Sequence, residues 1–120
     1  MKIWLAVFLG GGVGSVARYA ISRLVLTLGT RTIFPWATFI SNLLATALLA
    51  WLIWRWQQPE REAWQAFMIV GFCGGFSTMS TFSMENHQLI HHGWYMIAAL
   101  NIGVTVTLGI LLFHYFARVN

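Results

Sequence analysis

Two uncharged runs, Ile33 to Trp54 and Ala63 to Met84, limit what this chain can fold into. Each is as long as the stretch of about 20 residues that an α-helix needs to cross the hydrocarbon core of a bilayer. The second run carries an internal conflict. At its centre stands Gly71-Phe72-Cys73-Gly74-Gly75-Phe76-Ser77-Thr78-Met79-Ser80-Thr81-Phe82-Ser83, with three glycines and a cluster of hydroxyls. Glycine frees the backbone from helical geometry. Ser and Thr compete for backbone hydrogen bonds and weaken a helix interior. The run therefore predicts a membrane helix that breaks at bilayer depth. Irregular backbone there is tolerated only where it is buried in protein or lines a watery cavity. A break in that position usually marks an ion or substrate site.

Composition supports the same class. Charged residues make up 8% of the chain and hydrophobic residues 58%, against about 25% charged in a soluble domain. The expectation is an all-α integral membrane protein, one domain over 1–120, with four helices at about 3–26, 36–56, 62–89 and 94–117 and the third broken at its centre. The single cysteine, Cys73, excludes an internal disulfide and any CxxC or zinc pattern. The net charge of +4 would suggest a nucleic-acid partner in a soluble protein. Here the basic residues flank apolar runs, so anchoring at the membrane surface is the simpler reading and no nucleic acid is expected. No cleavable signal peptide is expected, because the first apolar run continues through a glycine-rich helix rather than ending at an Ala-x-Ala site.

Polar residues inside the spans are the candidates for function. In the first span, glycines 10, 11, 12 and 14 permit close approach of another helix, and packing is the simpler reading for them. Arg18 costs a few kcal/mol inside a span unless it reaches water or a partner, so it either snorkels to the interface or attracts an ion. Leu28 to Thr32, with Gly29 and Arg31, is a short loop, and Phe34-Pro35-Trp36 suits a helix start at headgroup level. Thr38, Asn42 and Thr46 recur every four residues and share one face of the second span. That face is either interhelical glue or a polar wall on which Asn42 offers two N–H donors to an anion. Arg55 to Glu62 is a solvated turn. Glu85 reads as a helix-end residue more readily than a pore residue. His87 stands four before His91, next to His92, and the set could bind a metal. No acid or cysteine clusters with these histidines, so a surface turn is the simpler reading. In the fourth span Asn101, Thr105 and Gly109 fall on one line, a polar track or ordinary helix glue.

The central stretch also resembles a known family. Gly74-Gly75-Phe76-Ser77-Thr78-Met79-Ser80-Thr81-Phe82-Ser83-Met84-Glu85 is similar to the signature G-G-(L/F)-(S/T)-T-F-S-T-F-S-x-E of the Fluc (CrcB-type) fluoride channels. Gly10-Gly11-Gly12-Val13-Gly14 followed by Arg18 looks like that family's first helix, and Thr38 with Asn42 like its second-helix motif. Ala45 stands where the family has glycine.

The resemblance implies a fluoride-selective channel that gives passive efflux of fluoride and resistance to its toxicity. It implies a dual-topology, antiparallel homodimer with two pores, in a bacterial inner membrane. The chain's basic residues suit this: four spans put Lys2, Arg55, Arg61 and Arg118 on one side and Arg18, Arg23 and Arg31 on the other, a bias too weak to fix one orientation. Fluoride is small and strongly hydrated, so a channel must replace its water with hydrogen-bond donors. Asn42, Ser77, Ser80, Thr81 and Thr105 supply neutral ones. The family's two pore phenylalanines map to Phe82, which is kept, and to position 79, where this chain has Met79. Phenylalanine presents a partially positive ring edge to an anion; methionine is adaptable but has no ring edge. The family's polar track maps to Asn101 and Thr105, and its vestibule arginine to Arg18. A structural sodium ion at the dimer interface would be held by the carbonyls of Gly74 and Ser77. Two other classes compete. A small proton-coupled multidrug exporter needs a titratable acid in a span, usually the first, and this first span has none. A non-transporting assembly subunit needs no polar faces on three spans. No acid completes a catalytic triad, so no enzyme is expected.

Overall fold

The structure, a computed structural model, describes residues 1–29, 32–56 and 59–119. Arg31, expected in the first loop, lies outside the described residues. Among the described residues, four helical spans are long and apolar enough to cross a membrane. The first is α1 (Lys2–Thr27) and the second α2 (Trp36–Arg55). The third, Glu62–His91, is composite. It contains α3 (Glu62–Gln65), a π-helical segment (Ala66–Cys73), α4 (Gly74–Phe76) and α5 (Met79–His91). The fourth is α6 (Tyr95–Val119).

Aromatic side chains mark both ends of α2. Phe34, Trp36 and Phe39 cluster at its start, with ring centroids 4.7 to 5.8 Å apart. Trp51, Trp56, Trp64 and Phe67 form a chain at its other end, closing on a stacked pair at 5.5 Å. Twenty helical residues between them rise about 30 Å, the thickness of a hydrocarbon core, and rings of this kind favour the interfaces that bound it. Large apolar side chains such as Trp4, Phe8, Val16, Met96 and Ile110 are exposed on the outer faces, as lipid or a partner requires.

Glycine sets the tightest helix contact. Gly10 and Gly14 of α1 lie four apart, and so do Gly71 and Gly75 of the third span. A Cβ on Gly10 would fall on the Phe67 carbonyl, and one on Gly14 on the Phe72 carbonyl. In return, a Cβ on Gly71 would meet the Val7 carbonyl at 2.8 Å, and one on Gly75 the Gly11 carbonyl. The two backbones therefore touch directly, the arrangement that paired small residues permit between helices in lipid. Of the other glycines in the first span, Gly11 makes only ordinary contact and Gly12 faces open space.

The same observation relocates a role read from sequence. The glycines of the central stretch were expected to loosen the helix. All three hold helical geometry, Gly74 at φ −65° and ψ −38°, and positive φ among the described residues occurs only at Gly29 and Gly93. The extended residues are Ser77 (φ −83°, ψ 155°) and Thr78 (φ −150°, ψ 116°). Two of the glycines, Gly71 and Gly75, are there for α1 to pack on.

Gly93 ends α5. Its positive φ of 81° lets Gly93 N–H reach the Ile90 carbonyl and Trp94 N–H reach that of Leu89, a paired C-cap that turns the chain into α6. Buried side chains are mostly small or moderate: Ala45, Ala50, Leu52, Ala66, Cys73, Phe76, Phe82, Leu89 and Ala98.

Gly14→Ala places a methyl on backbone that cannot swing aside. It is expected to cost at least the roughly 1–3 kcal/mol of core overpacking, whereas Gly12→Ala, which faces open space, should leave thermal unfolding of the detergent-solubilised protein unchanged or raise it slightly through helix propensity. Equal melting of the two variants would refute the interlocked packing.

Candidate functional site

Two extended residues inside a span leave backbone groups without helical partners. Ser77 closes the first half of the span: its N–H and its hydroxyl both donate to the Cys73 carbonyl, at 3.0 and 2.9 Å. Thr78 opens α5 as its N-cap, with Oγ1 accepting from Thr81 N–H at 3.3 Å. The same hydroxyl donates to Thr81 Oγ1 and lies 3.2 Å from Ser80 Oγ. The peptide groups of Thr78 are met from α2. Asn42 Oδ1 accepts from Thr78 N–H at 2.8 Å, and Asn42 Nδ2 donates to the Thr78 carbonyl at 3.4 Å. One primary amide thus covers a donor and an acceptor of one irregular residue.

This geometry frees two carbonyls. In a continuous helix Thr78 N–H would donate to Gly74 and Thr81 N–H to Ser77. Here they go to Asn42 and to the Thr78 hydroxyl. Gly74 is exposed, and a Cβ there would meet nothing within 4 Å. Two carbonyl oxygens released from helical bonding, beside a glycine with open space, have the chemistry of a hard-cation site.

The expected face of α2 does turn to the third span. Thr38 hydroxyl donates to Glu85 Oε1 at 2.8 Å, and Thr46 donates to the Asn42 carbonyl at 2.7 Å. Thr38 pairs with Glu85 and Asn42 with Thr78, so α2 and α5 run antiparallel. Glu85, read from sequence as a helix-end residue, lies in mid-α5 and faces α2. Its Oε2 is buried without a partner among the described residues.

A second polar chain joins α5 to α6. Asn86 Nδ2 donates to the Phe82 carbonyl at 2.8 Å, and Asn101 Nδ2 donates to Asn86 Oδ1 at 3.0 Å. Thr105 hydroxyl donates to Asn101 Oδ1 at 3.3 Å. The chain has one direction, because the Phe82 carbonyl can only accept. Each amide is thereby turned so that Asn101 shows Thr105 an acceptor. Asn86 was not singled out from sequence. It sits in the polar run Glu85-Asn86-His87-Gln88, which reads as chain leaving the membrane, and four residues beyond Phe82, the spacing that allows the bond.

The two chains meet at an open cavity of about 240 Å³, lined by Asn42, Thr46, Ser77, Thr78, Met79, Phe82, Thr105 and Val106. Of the residues expected at a pore, it gathers Asn42, Met79, Phe82 and Thr105. Phe82 is buried, and Met79 is 72% exposed, so the methionine side chain remains uncovered by its own chain. Ser80 is exposed and Thr81 half-buried, both tied to the Thr78 hydroxyl rather than lining this cavity. Asn101 is buried and reaches the cavity only through Thr105. Arg18 stands apart on α1, half-buried, with Nε unpartnered among the described residues. Ser77 and Thr46 also line a second cavity of about 300 Å³, with Cys73 and Gly74.

Residues 5–116 match a family model described as CrcB-like protein, Camphor Resistance (CrcB). The chain is also similar to proteins named fluoride-specific ion channel FluC. One from Flavobacterium psychrophilum is 40% identical over 114 residues, covering 92% of this chain and 90% of that protein. One from Thermococcus kodakarensis is 40% identical over 116 residues, covering 93% and 90%. One from Coxiella burnetii is 38% identical over 107 residues, covering 87% and 86%.

Removing the Asn42 amide orphans both groups of the Thr78 peptide. Asn42→Ala is expected to lower stability by roughly 1–3 kcal/mol for each orphaned group. Ser80→Ala, on an exposed hydroxyl, should stay within about 0.5 kcal/mol of the parent. Reversible denaturation in mixed micelles measures both.

Proposed function

This chain belongs to the CrcB-like protein family, and from that premise we propose that it is a fluoride-specific ion channel in a multi-pass membrane setting, passing fluoride down its gradient without catalysis. The observation that carries the reading is the break at Ser77–Thr78, held by Asn42 beside a cavity that Phe82, Met79 and Thr105 share. It supplies neutral donors where a dehydrating anion needs them. Passive efflux of this kind would protect a bacterial cell from accumulated fluoride, with the inner membrane as its place.

The donors have distinct standing. Asn42 uses one N–H on the Thr78 carbonyl and keeps a second for an anion. Thr105 spends its proton on Asn101, so it offers an anion a donor only after its hydroxyl rotates. Ser80 and Thr81, linked to Thr78, extend the donor set along the α5 N-terminus, where the helix dipole favours negative charge. Phe82 and Met79 form the apolar side of the path, and Arg18 draws anions toward its mouth. Asn101 acts through Thr105.

Four spans are few to enclose a pore, and the exposed Met79 calls for a cover from outside the chain. An antiparallel homodimer of dual-topology copies, with two pores, supplies that cover. The near balance of basic residues on the two sides supports copies inserted both ways. The freed carbonyls of Gly74 and Ser77 fit a structural sodium ion shared by two copies at such an interface. When bound, it would raise the positive potential felt by anions.

Efflux from liposomes holding only the purified chain tests the reading. Fluoride efflux without chloride efflux, and without a proton gradient, is expected; equal or absent flux of both anions from folded protein would overturn it. Asn42→Asp removes a donor and adds repulsion, and should cut fluoride flux at least tenfold, about 1.4 kcal/mol on the barrier. Met79→Phe restores a ring edge and should retain or raise flux; a silent but folded variant would count against the role given to position 79.

A further inference from the structure

His87 and His91 lie four apart on α5, the spacing that puts two side chains on one helix face. The sequence placed this group in a turn. In the fold the helix runs through His91, and only His92 and Gly93 turn. Both rings are exposed. They are inclined by 26° with centroids 6.3 Å apart. Among the described residues neither ring makes a hydrogen bond, and the His91 ring meets the His92 ring edge-on at 5.8 Å. His92 differs: its Nδ1 lies 2.7 Å from the Gln88 carbonyl, and its ring stacks on Trp94 at 5.2 Å. Met84, exposed and three residues before His87, extends the same face with a thioether.

We propose that His87 and His91 form a binding site for a divalent transition metal at the C-terminal end of α5, separate from the fluoride path. An imidazole nitrogen binds such a metal at about 2.0–2.1 Å. Two rings sharing one tetrahedral ion then have centroids about 5 Å apart by that geometry. Closing from 6.3 Å takes only side-chain rotation of two exposed rings on a rigid helix. Two histidines at this spacing are the helical half of known zinc sites. No group of three or more His, Cys, Asp or Glu side chains is placed to hold a metal among the described residues. The site is therefore bidentate and keeps water in its remaining positions. Imidazole ligands suit zinc, copper and nickel, and the affinity order should follow Cu²⁺ above Ni²⁺ above Co²⁺. Magnesium and calcium, which take oxygen ligands, should not compete.

Calorimetric titration of the full chain in detergent, with no histidine tag, tests this with Zn²⁺ as the probe. One saturable site per chain is expected. His87→Gln and His91→Gln should each weaken it about tenfold or more, and His92→Gln should leave it unchanged. Copper should show two nitrogen ligands by electron paramagnetic resonance, reduced to one in either variant. Absence of saturable binding, or an isotherm indifferent to both substitutions, would overturn the site. Equal binding of Mg²⁺ would do so too, since it would mark a nonspecific charge effect. Both substitutions lie on an exposed face, so the variants should fold. A failure of fluoride efflux leaves this binding result standing.

Discussion

Two extended residues inside a membrane span are the constraint on which the rest of this structure depends. A backbone amide left unpaired in hydrocarbon costs several kcal/mol, and Thr78 presents both a donor and an acceptor there. The amide of Asn42 meets both. That requirement fixes α2 beside the break and fixes its register, since Thr38 must then face Glu85. It also decides which carbonyls go free, because the N–H groups that would have bonded to Gly74 and Ser77 are used elsewhere. The first half of the third span is also pressed against α1 through two interlocking glycine pairs. The break is therefore held by a polar contact to α2, and the half-span before it by a backbone contact to α1.

Much of this was legible from the sequence. Four apolar runs gave four spans, and Asn42 stood out because with Thr38 and Thr46 it puts a polar face on an uncharged span, as interhelical glue or as a donor to an anion. The glycines were harder. A glycine in a helix costs about 1 kcal/mol relative to alanine, so a cluster of them reads as loosened backbone. What justifies Gly71 and Gly75 is the surface of another helix, Gly10 and Gly14, far away in the chain. The π-helical geometry of Ala66–Cys73 has no local signal either; the segment lies along that glycine groove. Asn86 was hidden by its neighbours, since Glu85, His87 and Gln88 make its surroundings look like a helix end. Its partner, Asn101, comes from a separate span, and only the fold brings the two amides together.

The polar network has a consequence for ion chemistry. Around the central cavity Asn42, Thr46, Ser77 and Thr78 are each tied to a backbone group, and Thr105 to the Asn101 side chain. The hydroxyls spend their single protons inside this network, and Asn42 alone keeps an N–H to spare. The donors are neutral, and Arg18 and Arg23 of the first span stand apart from the cavity lining. Neutral donors bind an anion without trapping it, the balance that conduction requires. Met79 stands at the open side of this arrangement, exposed in the single chain.

Asn42 holds an irregular peptide in place within a span. Hydrogen exchange at the Thr78 amide, read by nuclear magnetic resonance on threonine-labelled protein in micelles, tests it most directly. This amide should be strongly protected in the parent chain, although it lacks a helical acceptor, and protection should be lost selectively in Asn42→Leu while α6 stays protected. Fast exchange at Thr78 in the parent, or protection that survives Asn42→Leu, would contradict it.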